Sequence, residues 1–234
     1  MPNQNKLLIW GDSILKGITF DRSSGRYAIC RENSATRLSQ ELGLEVVNHA
    51  KLGCTLPAGE PIIARDLAGE LPAGRALVEF GGNDCDFDWD AVAADPCAAH
   101  QPKTPLPLFE AQLAELCQKL CACGVQPVLM TLPPIDDARY FTRICDGRDA
   151  DNLRRFLGST RRIYTWQERY SLAISRVAER IGCPIIEVRD RFLADWDFRT
   201  LLSDDGIHPN ARGHAAIFEC MAAFFGSAPK AENA

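Results

Sequence analysis

Lys6-Leu7-Leu8-Ile9-Trp10-Gly11-Asp12-Ser13 is the stretch that decides the fold, because a short apolar run ends at once in glycine, aspartate and serine. A short apolar run bounded by a turn signal is typical of a strand buried on both faces of a parallel sheet. Ligands bind beyond the carboxyl ends of such strands, so the serine at this end is a candidate functional residue.

Apolar runs like the first recur along the chain and alternate with amphipathic segments. The predicted strands are Lys6–Trp10, Glu45–Asn48, Ala76–Phe80, Pro127–Thr131 and Pro184–Val188. The predicted helices are Ala35–Leu42, Ile62–Leu71, Leu108–Cys121, Tyr164–Ile181 and Ala211–Phe225. Alternating strands and helices with right-handed crossovers predict an α/β fold, in which a parallel sheet is covered by helices.

A second chemical signal, Asp205-Gly206-Ile207-His208-Pro209, directly precedes the last predicted helix. A serine hydroxyl is a poor nucleophile until an imidazole takes its proton, and a carboxylate fixes the tautomer of that imidazole. Ser13, Asp205 and His208 are therefore a candidate hydrolytic triad. A helix cap at Ser13 and a turn at Asp205 are the structural alternatives, and they are compatible with catalysis.

Two more motifs follow predicted strands: Asn48-His49-Ala50-Lys51-Leu52-Gly53 and Gly81-Gly82-Asn83-Asp84. An acyl-transfer site needs hydrogen-bond donors aimed at the developing oxyanion. The N–H groups of Ser13 and Gly53 and the side-chain amide of Asn83 are the candidates.

These four motifs, in this order, resemble those of the SGNH hydrolases, also called GDSL-type esterases and lipases. The resemblance extends over residues 11–209, and it departs from the family pattern at Ile14, where the family name has leucine, and at Ala50, where glycine is common. Neither departure removes a reacting group.

The resemblance implies a function for each matching residue. Ser13 would be the nucleophile and Asp205 and His208 the rest of the triad, while Ser13, Gly53 and Asn83 would form the oxyanion hole. It also implies a three-layer α/β/α sandwich of the flavodoxin-like type, with a five-stranded parallel sheet in the order 2-1-3-4-5. A carboxylic-ester hydrolase of this kind needs no metal and no organic cofactor.

Three other classes of protein are less consistent with the motifs. An α/β-hydrolase places its serine in Gly-x-Ser-x-Gly, whereas Leu15 occupies the position of the last glycine here. A nucleotide-binding protein would need a glycine-rich phosphate loop that residues 11–17 lack. A catalytically silent binding domain has no need for a complete triad with its oxyanion donors.

Length and charge fit one globular domain. The chain has 234 residues, a formal net charge of −5, 46% hydrophobic and 24% charged residues. We expect a single hydrolase domain over residues 1–226 and a disordered tail over 227–234. The acidic balance gives no electrostatic reason to expect nucleic acid, so the expected partner is a small-molecule ester, with a homo-oligomer left open.

The ten cysteines are predicted to be free thiols. Residues 1–10 carry one lysine and only a four-residue apolar stretch, too short for the core of a signal peptide, which favours a cytoplasmic protein. No apolar run approaches the ~20 residues of a membrane-spanning helix, so membrane insertion is not expected.

Two clusters suggest metal binding, and for both a structural role is the better interpretation. Cys117, Cys121 and Cys123 lack a second pair of ligands for a tetrahedral site. The run of alternating aspartates resembles a calcium loop but has Trp89 where such a loop needs glycine, and no glutamate closes it. The aspartate run comprises Asp84, Asp86, Asp88 and Asp90.

Two histidines outside the triad are also assigned from the sequence. His49 could contact substrate or have a structural role, and the structural role is favoured. His214 is predicted to pack within the protein or lie at its surface.

Specificity is predicted to lie in three long connections, Asp21–Asn33, Cys85–Pro107 and Pro133–Ile163, which exceed ordinary loop lengths. Phe87 and Trp89 would offer an aromatic wall beside the oxyanion hole. The basic, aromatic segment within 133–163 would either cover the site as a lid or form a solvated helix with an apolar inner face. The predicted substrate is a small soluble or acetylated, carbohydrate-type ester, with lysophospholipase or thioesterase activity as the alternative.

Overall fold

A five-stranded parallel sheet is the centre of the computed structural model, which describes residues 3–69 and 73–226. The strands are β1 (Asn3–Gly11), β2 (Ile18–Asp21), β3 (Arg26–Ile29), β4 (Glu45–Asn48), β5 (Ala73–Glu79), β6 (Gln126–Met130) and β7 (Ile185–Ile186). The sheet has the order β4-β1-β5-β6-β7 with parallel neighbours, and β2 and β3 form a separate antiparallel hairpin. Without the hairpin this is the predicted order 2-1-3-4-5, and the predicted α/β fold is confirmed.

Helices fill the connections between these strands. They are α1 (Ser13–Lys16), α2 (Ser34–Leu42), α3 (Leu56–Ala68), α4 (Trp89–Ala94), α5 (Leu106–Ala122), α6 (Asp137–Ile144), α7 (Ala150–Leu157), α8 (Arg161–Ile181), α9 (Val188–Leu193), a 3-10 helix (Phe198–Leu201) and α10 (Ala211–Gly226). Within the described ranges, none of them has the length and hydropathy that a membrane crossing requires.

The two faces of the sheet are covered by different helices. Alternate side chains of a strand point to opposite faces, so Leu7 and Ile9 of β1 pack on one side while Leu8 and Trp10 pack on the other. The first side is covered by α2, α9 and α10, and the second by α3, α5 and α8. Residues 7–10 of β1 are buried on both faces, which agrees with their continuously apolar sequence.

A third apolar cluster lies outside these two layers and is formed by α4, α6, α7 and the start of α8. The sequence predicts long connections over residues 85–107 and 133–163, with a solvated helix that has an apolar inner face as one alternative within the second. The structure has three short helices here, and α6 and α7 agree with that alternative. Aspartate side chains cap each of them, because Asp88, Asp136 and Asp149 accept hydrogen bonds from first-turn N–H groups. Such caps were the available signal, but helices of six to eight residues are too short for a clear period.

Several predicted ends differ from the structure, among them those of the last strand and of the helix before β5. Val188 was assigned to the last strand, whereas β7 ends at Ile186 and Val188 begins α9, where burial of its side chain still requires an apolar residue. The helix predicted from Ile62 begins at Leu56, capped by the Thr55 side chain. The predicted end of that helix at Leu71 and the predicted tail at 227–234 lie outside the described residues.

His214 of α10 contacts the hairpin, and of the two placements that the sequence leaves open for it the structure has packing within the protein. The side chain is fully buried, and Nε2 lies 3.2 Å from the carbonyl oxygen of Ile18 at the start of β2. Burial lowers the pKa of His214 to about 4, although the hydrogen bond to Ile18 acts in the opposite direction.

We expect His214 to make the protein acid-sensitive. The unfolded chain takes up a proton at this residue near its ordinary pKa of 6.5 and the folded protein does so only near about 4. The free energy of unfolding should therefore fall as pH falls through this window, by up to ~1.4 kcal/mol per pH unit. Urea unfolding of wild type and His214→Gln across the window should show a shallower pH dependence in the variant; parallel curves would contradict the assignment.

Candidate active site

The predicted site residues converge at the carboxyl edge of the sheet. Ser13, Gly53 and Asn83 follow the ends of β1, β4 and β5, which are neighbouring strands. Parallel strands bring the loops after them to one edge, so these three residues line the same cavity. His208 lines that cavity too, and Asp205 lies buried beside it.

Ser13 is the first residue of α1 and its side chain is nearly buried, with a relative exposure of 6%. The preceding Asp12 caps this helix, since its Oδ1 accepts a hydrogen bond of 2.9 Å from the Ile14 N–H. The serine thus stands at a capped strand-to-helix turn, which fixes the direction of its hydroxyl group.

Ser13, His208 and Asp205 form a continuous hydrogen-bonded chain. Oγ of Ser13 lies 2.9 Å from Nε2 of His208, and Nδ1 of the same ring lies 2.5 Å from Oδ2 of Asp205. With Nδ1 donating to the carboxylate, Nε2 is free to accept the serine proton. The second carboxylate oxygen accepts from the N–H groups of Ile207 and His208, at 3.2 and 3.1 Å.

The loop that carries Asp205 and His208 is held on both sides by backbone hydrogen bonds. The Ser203 N–H donates to the His208 carbonyl at 2.7 Å, and the Asp136 N–H donates to the Gly206 carbonyl at 2.8 Å. Gly206 has φ +79°, and a Cβ there would lie 2.7 Å from the Asp136 carbonyl oxygen. Only glycine fits this contact without strain, so the loop is rigid where it presents the imidazole.

The candidate oxyanion donors are ordered by neighbouring side chains. The Asn83 amide donates to Oδ2 of Asp12 at 2.9 Å, which leaves its second hydrogen for another acceptor. Asn48 connects the loop before Gly53 to the serine turn: its amide donates to the Leu15 carbonyl at 2.8 Å, and its Oδ1 accepts from the Ala50 N–H at 2.9 Å.

A buried acid pair lies beneath this arrangement, and the sequence analysis missed it. Glu79 ends β5 with no exposed surface, and its Oε2 accepts from the Asp12 N–H at 3.4 Å. Burial and the neighbouring Asp12 charge raise the pKa of Glu79 well above 4.5, and burial raises that of Asp12. Both causes favour the protonated form of the pair in the folded protein. A glutamate directly after the apolar run Ala76-Leu77-Val78 was the sequence signal.

A cavity of about 720 Å³ opens beside Ser13. Phe87 and Trp89 line it as predicted, together with aromatic and aliphatic side chains from α6, α7 and α8. Tyr27 of the hairpin also lines it and packs edge-on against the His208 ring, with centroids 5.0 Å apart. Tyr27 lies in the connection Asp21–Asn33, one of the three segments predicted to shape specificity, although its contact with His208 was not predicted.

The ambiguous histidine and the aspartate run have structural partners. Nδ1 of His49 is paired with the Asp66 carboxylate, which also accepts from the Trp10 indole at 2.9 Å. Each of the four alternating aspartates has its own hydrogen-bond donors. The Leu56 N–H donates to Asp84, and Tyr140 and Lys103 donate to Asp86. The Ala91 N–H donates to Asp88, and Arg148 donates to Asp90. Across the part of the chain that is described, no three His, Cys, Asp or Glu residues are grouped to hold a metal ion.

Comparison with known proteins gives one family and several similar folds. A model of the GDSL-like Lipase/Acylhydrolase family matches residues 9–216. No curated protein matches the chain by sequence. Among solved structures, a lipase/acylhydrolase from Enterococcus faecalis is 18% identical with a TM-score of 0.66, covering 98% of this chain and 99% of its own.

Two further structures are similar over nearly their full length. LAE5, an alpha/beta hydrolase enzyme from the metagenome of Lake Arreo, is 22% identical with a TM-score of 0.63, and 96% of each chain is covered. A catalytic mutant of an acetylxylan esterase from Geobacillus stearothermophilus is 18% identical with a TM-score of 0.61, and 97% of each chain is covered. These likenesses show a common fold.

We expect the acid pair to cost stability as pH rises. Folded Glu79 keeps its proton where the unfolded chain has lost it, so the free energy of unfolding falls with pH above its ordinary pKa of 4.5. Glutamine cannot ionise and can donate to Asp12. In urea unfolding, the stability of Glu79→Gln relative to wild type should therefore increase as pH rises above 4.5.

The control for this measurement is Glu115→Gln, at an exposed glutamate of α5. Its stability difference from wild type should stay nearly constant over the same range. An equally constant difference for Glu79→Gln would show that the buried pair does not hold a proton.

Proposed function

The chain belongs to the GDSL-like lipase/acylhydrolase family, and we propose that it hydrolyses carboxylic esters through an acyl-serine intermediate on Ser13. The observation that carries the proposal is the chain of hydrogen bonds from Ser13 through His208 to Asp205, at 2.9 and 2.5 Å, beside a cavity of about 720 Å³. An acyl-transfer site requires this order of nucleophile, base and carboxylate.

In the first half of the reaction, Oγ of Ser13 attacks the ester carbonyl while Nε2 of His208 takes the hydroxyl proton. Asp205 holds the imidazole and stabilises its charged form. The tetrahedral intermediate collapses, the bond to the alcohol oxygen breaks, and His208 returns its proton to that oxygen. The products of this half are a free alcohol and an acyl-serine.

In the second half, water takes the place of the serine hydroxyl. His208 removes a proton from water, whose oxygen attacks the acyl carbonyl, and the proton then passes to Oγ of Ser13 as the acid leaves. In both halves the negative carbonyl oxygen accepts hydrogen bonds from the N–H groups of Ser13 and Gly53 and from the Asn83 amide.

Two classes of ester substrate, which differ in the size of the acyl group, are candidates. The sequence predicts a small or acetylated ester, and similarity to an acetylxylan esterase is compatible with that choice. One observation favours the alternative, an ester or thioester with a larger acyl group: the cavity beside Ser13 is lined mainly by apolar and aromatic side chains. The non-enzymatic alternative is a binding domain of the same fold that has no catalytic activity.

Loss of the nucleophile should remove turnover without unfolding the protein. We expect Ser13→Ala to lower kcat on p-nitrophenyl esters by roughly 10³-fold or more, because the remaining groups cannot form the acyl intermediate. Ser39→Ala, at an exposed serine of α2, is the matched control and should retain wild-type activity.

Intact mass after treatment with a serine-reactive phosphonate separates the alternatives. One equivalent should add to wild type and to Ser39→Ala but not to Ser13→Ala. Unlabelled wild-type protein without esterase activity would indicate a silent binding domain, and unchanged turnover in Ser13→Ala would exclude the mechanism.

Asn83 tests the oxyanion hole separately from the triad. Removing one oxyanion donor costs roughly 10²–10³-fold in kcat, so Asn83→Ala should lower kcat by this amount while KM changes little. Steady-state kinetics on a soluble ester give both values. A drop confined to KM would mean that Asn83 binds substrate in the ground state and does not stabilise the transition state.

A further inference from the structure

One wall of the cavity is a connected cluster of aromatic rings. The Phe87 ring centroid lies 5.5 Å from Trp89, 5.3 Å from Phe156 and 6.0 Å from Trp166. All four side chains line the cavity. They come from the connection after β5, from α7 and from α8, so the wall is built by segments that the hydrolytic chemistry does not itself need.

Aliphatic side chains complete this wall, namely Leu132, Ile135, Leu157 and Ile163. Two of the arginines that line the cavity are paired with carboxylates, and a third, Arg162, donates a hydrogen bond of 3.5 Å to the Phe156 carbonyl. Arg148 makes two hydrogen bonds of 2.7 and 3.0 Å to Asp90, and Arg143 pairs with Asp146 at 3.1 Å. This arm of the cavity therefore offers apolar contact more than ionic attraction.

The position of His208 separates the two halves of a bound ester. The alcohol oxygen must face Nε2 to receive its proton, so the leaving group lies on the imidazole side of Ser13. That side is bordered by Tyr27, whose ring packs on His208 and is 38% exposed. The acyl group leaves the carbonyl in another direction, and the aromatic arm offers it an apolar surface.

The cavity has room for a group larger than acetyl. Sites that enclose a drug-sized ligand measure roughly 300–1,000 Å³, and this cavity of about 720 Å³ falls within that range. Given the proposed function, we propose that the enzyme selects esters with an apolar acyl chain of medium length, seated against Phe87, Trp89, Phe156 and Trp166. This differs from the small ester that the sequence predicts.

The first experiment varies the acyl group at a constant leaving group. The p-nitrophenyl esters of acetate, butyrate, hexanoate, octanoate and decanoate are compared in wild type, Phe156→Ala and Trp196→Ala. Each buried methylene is worth roughly a fourfold change, so kcat/KM of wild type should increase by at least about tenfold from acetate to octanoate.

Phe156→Ala should lower kcat/KM on octanoate about fivefold or more and change it less than about twofold on acetate, because only the longer chain reaches the ring. Trp196 is fully exposed and outside the cavity lining, so Trp196→Ala should behave as wild type. If Phe156→Ala does not fold, Phe87→Leu removes a ring from the same cluster with a smaller loss of volume.

A second series keeps acetyl constant and varies the alcohol from ethyl to octyl acetate. Its rates should depend only weakly on chain length. A steep increase here with a flat acyl series would place the alcohol in the aromatic arm and overturn the proposal, as would acetate being the best acyl group in wild type.

Binding to Ser13→Ala tests the arm without turnover. Octanoate should change the tryptophan fluorescence at a concentration at least about tenfold below that needed with acetate, and Phe156→Ala in the same background should reduce this difference. Preferential octanoate binding without hydrolysis by wild type would refute the proposed function alone. Hydrolysis that depends on Ser13 without any chain-length preference would refute the acyl-group proposal alone.

Discussion

The position of β1 between β4 and β5 is the constraint on which the site depends. Parallel register pairs Ile9 with Asn48 on one side and with Leu77 on the other. The three strands consequently end at the same edge, and the loops that carry Ser13, Gly53 and Asn83 leave them side by side. A shift by one residue would turn the alternating core side chains of β1 to the wrong faces, so burial on both sides protects this register.

Polar groups at the buried edge of the sheet are hydrogen-bonded to one another. Asp12 caps α1, receives the Asn83 amide and adjoins Glu79, so one carboxylate connects the serine turn to the loop after β5. This arrangement buries two neighbouring acids, and burial raises the pKa of both, which favours their protonated form. The hydrogen bonds that order the site thus depend on two buried acids, Asp12 and Glu79, whose charge is not exposed to solvent.

The sheet positions the candidate site residues, whereas the segments outside it line the cavity. The hairpin places Tyr27 on the His208 ring, and α4, α6 and α7 form their own apolar cluster at one wall of the cavity. The parallel sheet can therefore remain unchanged while these insertions change the shape and polarity of the cavity. This division explains why a shared fold at 18–22% identity gives little information about the substrate.

The sequence by itself determined the five strands of the sheet, the family and the residues to inspect at the strand ends. Apolar period and turn chemistry are local properties, and Gly11-Asp12-Ser13 and Asp205-Gly206-Ile207-His208 are short contiguous motifs. Only the tertiary structure decided that Val188 is helical, that Glu79 lies under Asp12, that His49 pairs with Asp66 and that Phe156 packs on Phe87. Each of these outcomes depends on which distant segments pack together, and a local pattern carries no information about that contact.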